Sequence, residues 1–185
     1  TQRQIAFGYT DEDMSTVLNA MASKGVEPVG SMGNDTPLAV LSDKSKLLFN
    51  YFKQLFAQVT NPAIDPIREQ LVMSLMSYIG REANLIKETP RNARLLKLSR
   101  PILTNDDLDK LKHSQHQSFR TCTVPILFRI EDGIQGVRKA FERCFKEAEQ
   151  AVGEGYSLIV LSDRGINADN AAIPSLLAVS AVHHH

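Results

Sequence analysis

Val124-Pro125-Ile126-Leu127-Phe128-Arg129-Ile130 reads as a β-strand, with Pro125 near its start where a missing N–H is tolerated. Gly133 and Gly136 then introduce a long helix. Its apolar side chains, Val137, Ala140, Phe141, Cys144, Phe145, Ala148 and Val152, recur at helical spacing. Gly153 and Gly155 precede Ser157-Leu158-Ile159-Val160-Leu161, an apolar run of the kind found in strands covered on both faces. Ser162-Asp163-Arg164-Gly165 turns the chain away, and Ile173 to Val182 predicts a further apolar helix. Strand, helix, strand, helix is a βαβ unit and predicts a parallel sheet, so the fold class is α/β.

Upstream the sequence is helix-rich. Thr10 stands as a cap before Asp11-Glu12-Asp13, and Met14, Val17, Leu18 and Met21 follow at helical spacing up to Gly25. Pro28, Gly30, Gly33, Asn34, Asp35 and Pro37 mark loops, followed by the short apolar run 38–41, read as a strand after a turn. Leu47, Leu48, Tyr51, Phe52, Leu55, Phe56 and Val59 predict an amphipathic helix stopped by Asn61-Pro62. Asp65-Pro66 starts another, because proline's absent N–H costs nothing in the first turn. Leu71, Val72, Leu75, Met76 and Ile79 form its expected buried stripe, with Gly80 as its stop. Residues 81–123 are more polar and predict one short helix, from Thr104 through Leu108 and Leu111.

The whole is 185 residues with 21 basic and 21 acidic side chains and 43% hydrophobic content. That length favours one domain able to build a core without disulfides or metal. Zero net charge gives no electrostatic reason to expect nucleic acid or an anionic membrane as partner. It also gives little colloidal protection, which suits a piece covered by something else. Cys122 and Cys144 are too few for a disulfide framework, and Cys144 lies on an apolar stripe, so a reducing compartment is expected. No basic-then-apolar leader is present, and the stretch Ala171 to Val182 is far short of the about 20 residues a bilayer span needs. A soluble intracellular protein is expected.

Several segments could carry chemistry. Ser31-Met32-Gly33-Asn34-Asp35-Thr36-Pro37 could expose N–H groups to a phosphate or flavin, yet it matches neither GxGxxG nor a P-loop and reads more readily as a structural turn joining helix to strand. The block 58–69 contains two prolines that would fix Gln58, Thr60 and Asn61 at a surface or channel; it also reads as a plain helix connection with Arg68 and Glu69 as first-turn charges. Asp163 and Arg164 follow a strand end, where α/β sheets bind ligands, or form a pair that pins the loop. His113 and His116 have metal-compatible spacing but no third ligand. Arg91, Arg94, Lys97 and Arg100 recur every third residue without interleaved aromatics, as in a solvated edge or domain contact rather than a nucleic-acid stripe. Nothing forms a Ser-His-Asp set or a supported carboxylate pair, so the residues alone assign no active site.

Taken in order, the blocks 7–10, 31–42, 51–62, 65–69, 161–164 and 173–178 resemble the central domain of the glutamate synthase large subunit, with a lean toward the ferredoxin-dependent type. The set spans nearly the whole chain. The resemblance implies an enzyme that makes two glutamates from glutamine and 2-oxoglutarate. An amidotransferase domain with a cysteine nucleophile releases ammonia. A flavin (β/α)8 domain with FMN and an iron–sulfur cluster consumes it, using electrons from ferredoxin or an NAD(P)H-oxidising subunit. The central domain lies between them, with a topology like a partial flavin barrel, and helps enclose the ammonia tunnel.

On that basis Ser31, Asp35, Gln58, Thr60, Asn61, Pro62, Arg68 and Glu69 are expected at the tunnel or at domain interfaces, and no catalytic residue, cofactor or metal in the chain itself. The competing reading is a flavin- or phosphate-binding fragment with its site near Asp163 and Arg164; a purely structural packing domain is a third. The resemblance also implies one central domain over 1–185 that is cut short at its C-terminus. It reads His183-His184-His185 as native, and places the parent enzyme in the cytoplasm or, in a photosynthetic eukaryote, the plastid stroma.

Overall fold

The computed structural model describes residues 2–26, 37, 39–44, 46–52, 63–114 and 116–185. The chain divides into two compact units, 1–60 and 61–185.

In the first unit, helix α1 covers Gln2–Ala6. A second helical stretch is π-wound over Asp13–Leu18 and continues as α2, Asn19–Lys24. Thr10 starts it as the sequence predicts. Its hydroxyl accepts the Asp13 N–H at 3.1 Å, and the Asp13 carboxylate accepts from the Thr10 N–H and hydroxyl at 2.9 and 2.8 Å, a reciprocal capping box. Gly25 closes α2 with φ +62°, a left-handed conformation that costs glycine nothing. Ala39 to Ser42 form a turn, closed by the Ser42 N–H to the Ala39 carbonyl, where a strand was expected. The expected amphipathic helix shows only as a 3-10 turn at Leu48–Tyr51; its remainder, 53–59, lies outside the described residues.

In the second unit Asp65 caps α3, Pro66–Val72. The helix stops seven residues sooner than expected. Ser77–Ile79 is instead a strand, β1, paired antiparallel with β2, Leu96–Leu98, in the register Ser77↔Leu98. The stripe expected to be buried is largely exposed, Leu71 at 81%. Residues 105–112 form α4, Asn105–Lys112, with Thr104 as its cap, as predicted.

The apolar run 124–130 is two strands rather than one. β3, Thr121–Pro125, ends at the proline, and β4, Leu127–Arg129, begins one residue later. Helix α5, Gly133–Gly153, follows, then β5, Leu158–Ser162, β6, Asn170–Ala172, and α6, Ser175–His184. β3 and β5 pair in parallel, Thr121↔Leu158 through Pro125↔Ser162, with α5 as crossover, so the βαβ unit is present. β4 pairs antiparallel with β6, Leu127↔Ala172.

Ile126 is where the chain changes sheets. Its N–H donates to Ser162 O at 2.9 Å and its carbonyl accepts from Ile173 N–H at 2.9 Å, so no backbone group is orphaned between the ladders. The architecture is mixed α/β, and the sheets among the described residues are two-stranded and open. Val124, Ile126, Cys144, Ile173 and Ala178 form the core with Ala140. On α5 the buried positions are Gly136, Ala140, Cys144, Ala148 and Ala151. This ridge of small residues lets the helix lie close to both ladders. A Cβ at Gly136 would stand 3.0 Å from the Arg129 carbonyl oxygen. Val152, expected on the buried stripe, is exposed because the last turn faces inward through Ala151. β5 is half-buried along its length rather than fully covered.

Candidate functional site

Of the residues expected at a tunnel or interface, Ser31, Asp35, Gln58, Thr60, Asn61 and Pro62 lie outside the described residues. Arg68 and Glu69 stand on the first turn of α3, both exposed. Asp65 Oδ1 accepts from the Ile67 and Arg68 N–H groups at 3.1 and 3.0 Å, while Oδ2 accepts from Arg68 Nε–H and pairs with Nη2. The Arg68 guanidinium, then its backbone N–H, holds the Asp65 carboxyl below the usual aspartate range. At neutral pH this is a charge-compensated cap that stiffens the start of α3, with no proton to give or take. Beyond it the helix presents Ile67, 91% exposed, and Leu71, one turn on, to solvent.

The second candidate, Asp163 and Arg164, lies after β5. Arg164 Nη2 donates to Asn105 Oδ1 at 2.6 Å, so the loop is pinned to the start of α4 rather than through Asp163. Asn105 is a contributor that the sequence analysis missed, and 59 residues of separation leave no local signal for it. Several N–H donors around this loop are already engaged, Arg164 N–H with Ser162 Oγ at 3.3 Å and Asn167 N–H with Asn170 O at 3.0 Å. Ile126 and Ile130 donate to Ser162 O and Asp169 O, while Asp169 and Asn170 donate to Asn167 Oδ1. The β4–β6 ladder occupies the space beyond the strand end where α/β sheets bind ligands.

The described residues do not fit an iron–sulfur cluster. Among the described residues no three His, Cys, Asp or Glu side chains come together as a metal site. Cys144 is buried with its thiol 3.6 Å from Pro125 O, and burial pushes the Cys144 and Cys122 thiols up, away from the thiolate a cluster needs. His113 and His116 are exposed, Nδ1 of the first 2.8 Å from Asp109 O and Nδ1 of the second accepting the Ser118 N–H. His185 stacks on Phe145 with ring centroids 4.4 Å apart and meets Glu149 at 3.0 Å.

What the described residues present around α3 is a capped helix start with an exposed apolar face. Over residues 2–185 the sequence matches the family model for the glutamate synthase central domain. The chain belongs to that family. The central domain is 48% identical over 183 residues to the glutamate synthase NADPH large chain of Bacillus subtilis (strain 168), an alignment covering 99% of the chain and 12% of that protein. It is 45% identical to the ferredoxin-dependent glutamate synthase of Pyropia yezoensis over 100% of the chain and 12% of the relative. It is also 45% identical to the NADH glutamate synthase of Schizosaccharomyces pombe (strain 972 / ATCC 24843), over 98% of the chain and 9% of the relative. The central domain thus spans 9 to 12% of the length of these relatives. Among the described residues, no helix is long and apolar enough to cross a membrane.

Proposed function

We propose that this chain is the connecting domain of a glutamate synthase polypeptide, without catalytic residues of its own. On this reading it helps enclose the tunnel that carries ammonia from a glutamine amidotransferase domain to an FMN-binding synthase domain. The whole enzyme makes two glutamates from glutamine and 2-oxoglutarate, with electrons from ferredoxin or an NAD(P)H-oxidising subunit. It works in the cytoplasm, or in the plastid stroma of a photosynthetic eukaryote. FMN and the iron–sulfur cluster belong to the neighbouring domain, and no step of their chemistry falls to this chain. Both units are parts of one central domain, and β3–α5–β5 is its partial version of the flavin-barrel repeat.

The observation that carries the reading is the exposed apolar face of α3 in a chain that spans 9 to 12% of its relatives. A self-sufficient monomer rarely leaves such a face open. Each large apolar side chain there gains about 1.5–3 kcal/mol when a neighbour covers it. The Asp65–Arg68 cap stiffens the backbone directly after Gln58, Thr60, Asn61 and Pro62. With Ser31, Asp35, Arg68 and Glu69, these residues face the tunnel or the adjoining domains.

Replacing Thr60 and Asn61 with tryptophan in the full-length enzyme should leave glutaminase turnover running while glutamate formation falls and free ammonia appears. Normal coupling in that variant would sink the tunnel role. Tight one-to-one FMN binding by the 185-residue chain would instead favour the flavin-binding alternative near Asp163.

A further inference from the structure

Residues 91–104, Arg-Asn-Ala-Arg-Leu-Leu-Lys-Leu-Ser-Arg-Pro-Ile-Leu-Thr, contain four cationic side chains and no acidic one, a local excess in a chain whose 21 basic and 21 acidic side chains balance overall. Arg91, Arg94, Lys97 and Arg100 are all exposed, and none enters an ion pair among the described residues. Beside them, between β2 and α4, lies a cleft of about 370 Å³. Half-buried Leu98, Leu103, Leu111 and Phe119 line it together with exposed Lys97, Arg100 and Lys110. The carboxylate in its lining, Asp107, is already engaged. It accepts the Thr104 hydroxyl at 2.7 Å and pairs with Lys110 at 3.5 Å, which leaves Lys97 and Arg100 without an acidic partner among the described residues.

We infer that this cleft is a docking seat for an acidic segment from another part of the same long polypeptide. The segment places a carboxylate against Lys97 and Arg100 and an apolar side chain on Leu98, Leu111 and Phe119. The inference rests on the reading of the chain as an internal piece of a glutamate synthase polypeptide. Charge complementarity selects the carboxylate, and the apolar lining supplies the contact that a screened rim pair cannot. A free small acid fits less well, because small-molecule sites enclose roughly 70–90% of their ligand. Here the cations stand in solvent and Ile102 beside them is 78% exposed. Nucleic acid fits less well too, since the cleft's aromatic ring, Phe119, is half-buried and no ring lies between the cations of residues 91–104 to make a run of stacking platforms.

Zero-length carbodiimide cross-linking of the full-length polypeptide, followed by peptide mapping, tests the seat. Lys97 or Lys110 should be joined to an Asp or Glu outside residues 1–185. In the double variant Lys97→Glu, Arg100→Glu the Lys110 cross-link should disappear, and amides of 96–98 and 105–112 should exchange about tenfold faster than in the unmodified polypeptide. Cross-links confined to carboxylates of this chain, or exchange unchanged by the charge reversal, would overturn the inference. So would protection of Lys97 from acetylation by free glutamate, which would make the cleft a small-acid site. None of these readouts depends on ammonia coupling. A cross-link that survives alongside normal coupling in the Thr60 and Asn61 variant would keep the seat and sink only the tunnel.

Discussion

Residues 63–104 and 121–185 are both rich in aliphatic side chains, yet only the second region builds a core. Every buried hydrophobic side chain among the described residues, from Val124 to Ala178, lies in it. Between Ala63 and Arg120 no described residue is buried, although Ile67, Leu71, Leu75, Leu85, Ile86 and Ile102 are all present. The difference lies in partners rather than in hydrophobic content. In 121–185 a 21-residue helix offers a ridge of small residues on which two ladders can settle. In 63–104 a seven-residue helix ends before its apolar face meets anything, and the strands after it are three residues long. The first arrangement is self-supporting, and the second has the form of a surface awaiting a cover.

The largest expected effect follows directly. Ile126→Ala removes a 1% exposed side chain from the point where the two ladders meet. It should destabilise the second unit by about 3 kcal/mol in urea unfolding, within the range for buried aliphatic deletions. Leu71→Ala, on the open helix face, should change stability of the same chain by less than about 0.5 kcal/mol. Equal losses from the two substitutions would erase the contrast between the regions. If α3 is an interface as proposed, the Leu71 value should rise in the full-length polypeptide.

A middle-sized effect sharpens the account of the core region. Arg143 on α5 sends Nη2 to Pro125 O at 2.9 Å and Leu127 O at 2.8 Å, holding the carbonyls on either side of Ile126. Its side chain is 43% exposed, so solvent weakens both bonds, and Arg143→Ala should cost about 1 kcal/mol, below the roughly 1.5–3 kcal/mol of a hydrogen bond to a charged group. Amide exchange should quicken first at 126–130 and later along α5. Uniform acceleration through α5 would mean that the arginine acts on the helix alone.

Much of the core region was legible because its signals are local and agree with one another. Glycines bracket α5, the run 158–161 is uninterrupted, and both belong to the βαβ unit observed. The break at Ile126 was not legible. Its cause is tertiary: one N–H goes to β5 and one carbonyl receives from Ile173, and a sequence run cannot show that its two halves pair with different strands. The open region misled for a related reason. Leu71, Val72, Leu75, Met76 and Ile79 do have helical spacing, but Ile79 gains more by joining the β1–β2 ladder than by extending an unpacked helix. Of the candidate site, the Asp65-Pro66 start was readable from capping chemistry alone, whereas the Arg164–Asn105 bond was beyond any local pattern.

The smallest expected effect concerns that readable cap. The Asp65 carboxyl lies below its ordinary value of 3.8, chiefly through the Arg68 guanidinium and then the Arg68 N–H. A carboxyl whose pKa falls on folding binds its proton more tightly when unfolded. Its contribution is therefore fully present above about pH 4 and is lost as pH drops through the lowered folded value. Protection of the α3 amides should fade over that window while β3 and β5 amides hold. Added salt should shrink the effect, because the pair is exposed and screened. Asp65→Asn keeps an oxygen for the Ile67 and Arg68 N–H groups but removes the charge, so it should retain the helix and flatten its pH dependence. Asp65→Ala should lose both. If Asp65→Asn kept the wild-type pH profile, the titrating group would lie elsewhere, and the cap would be held by geometry alone.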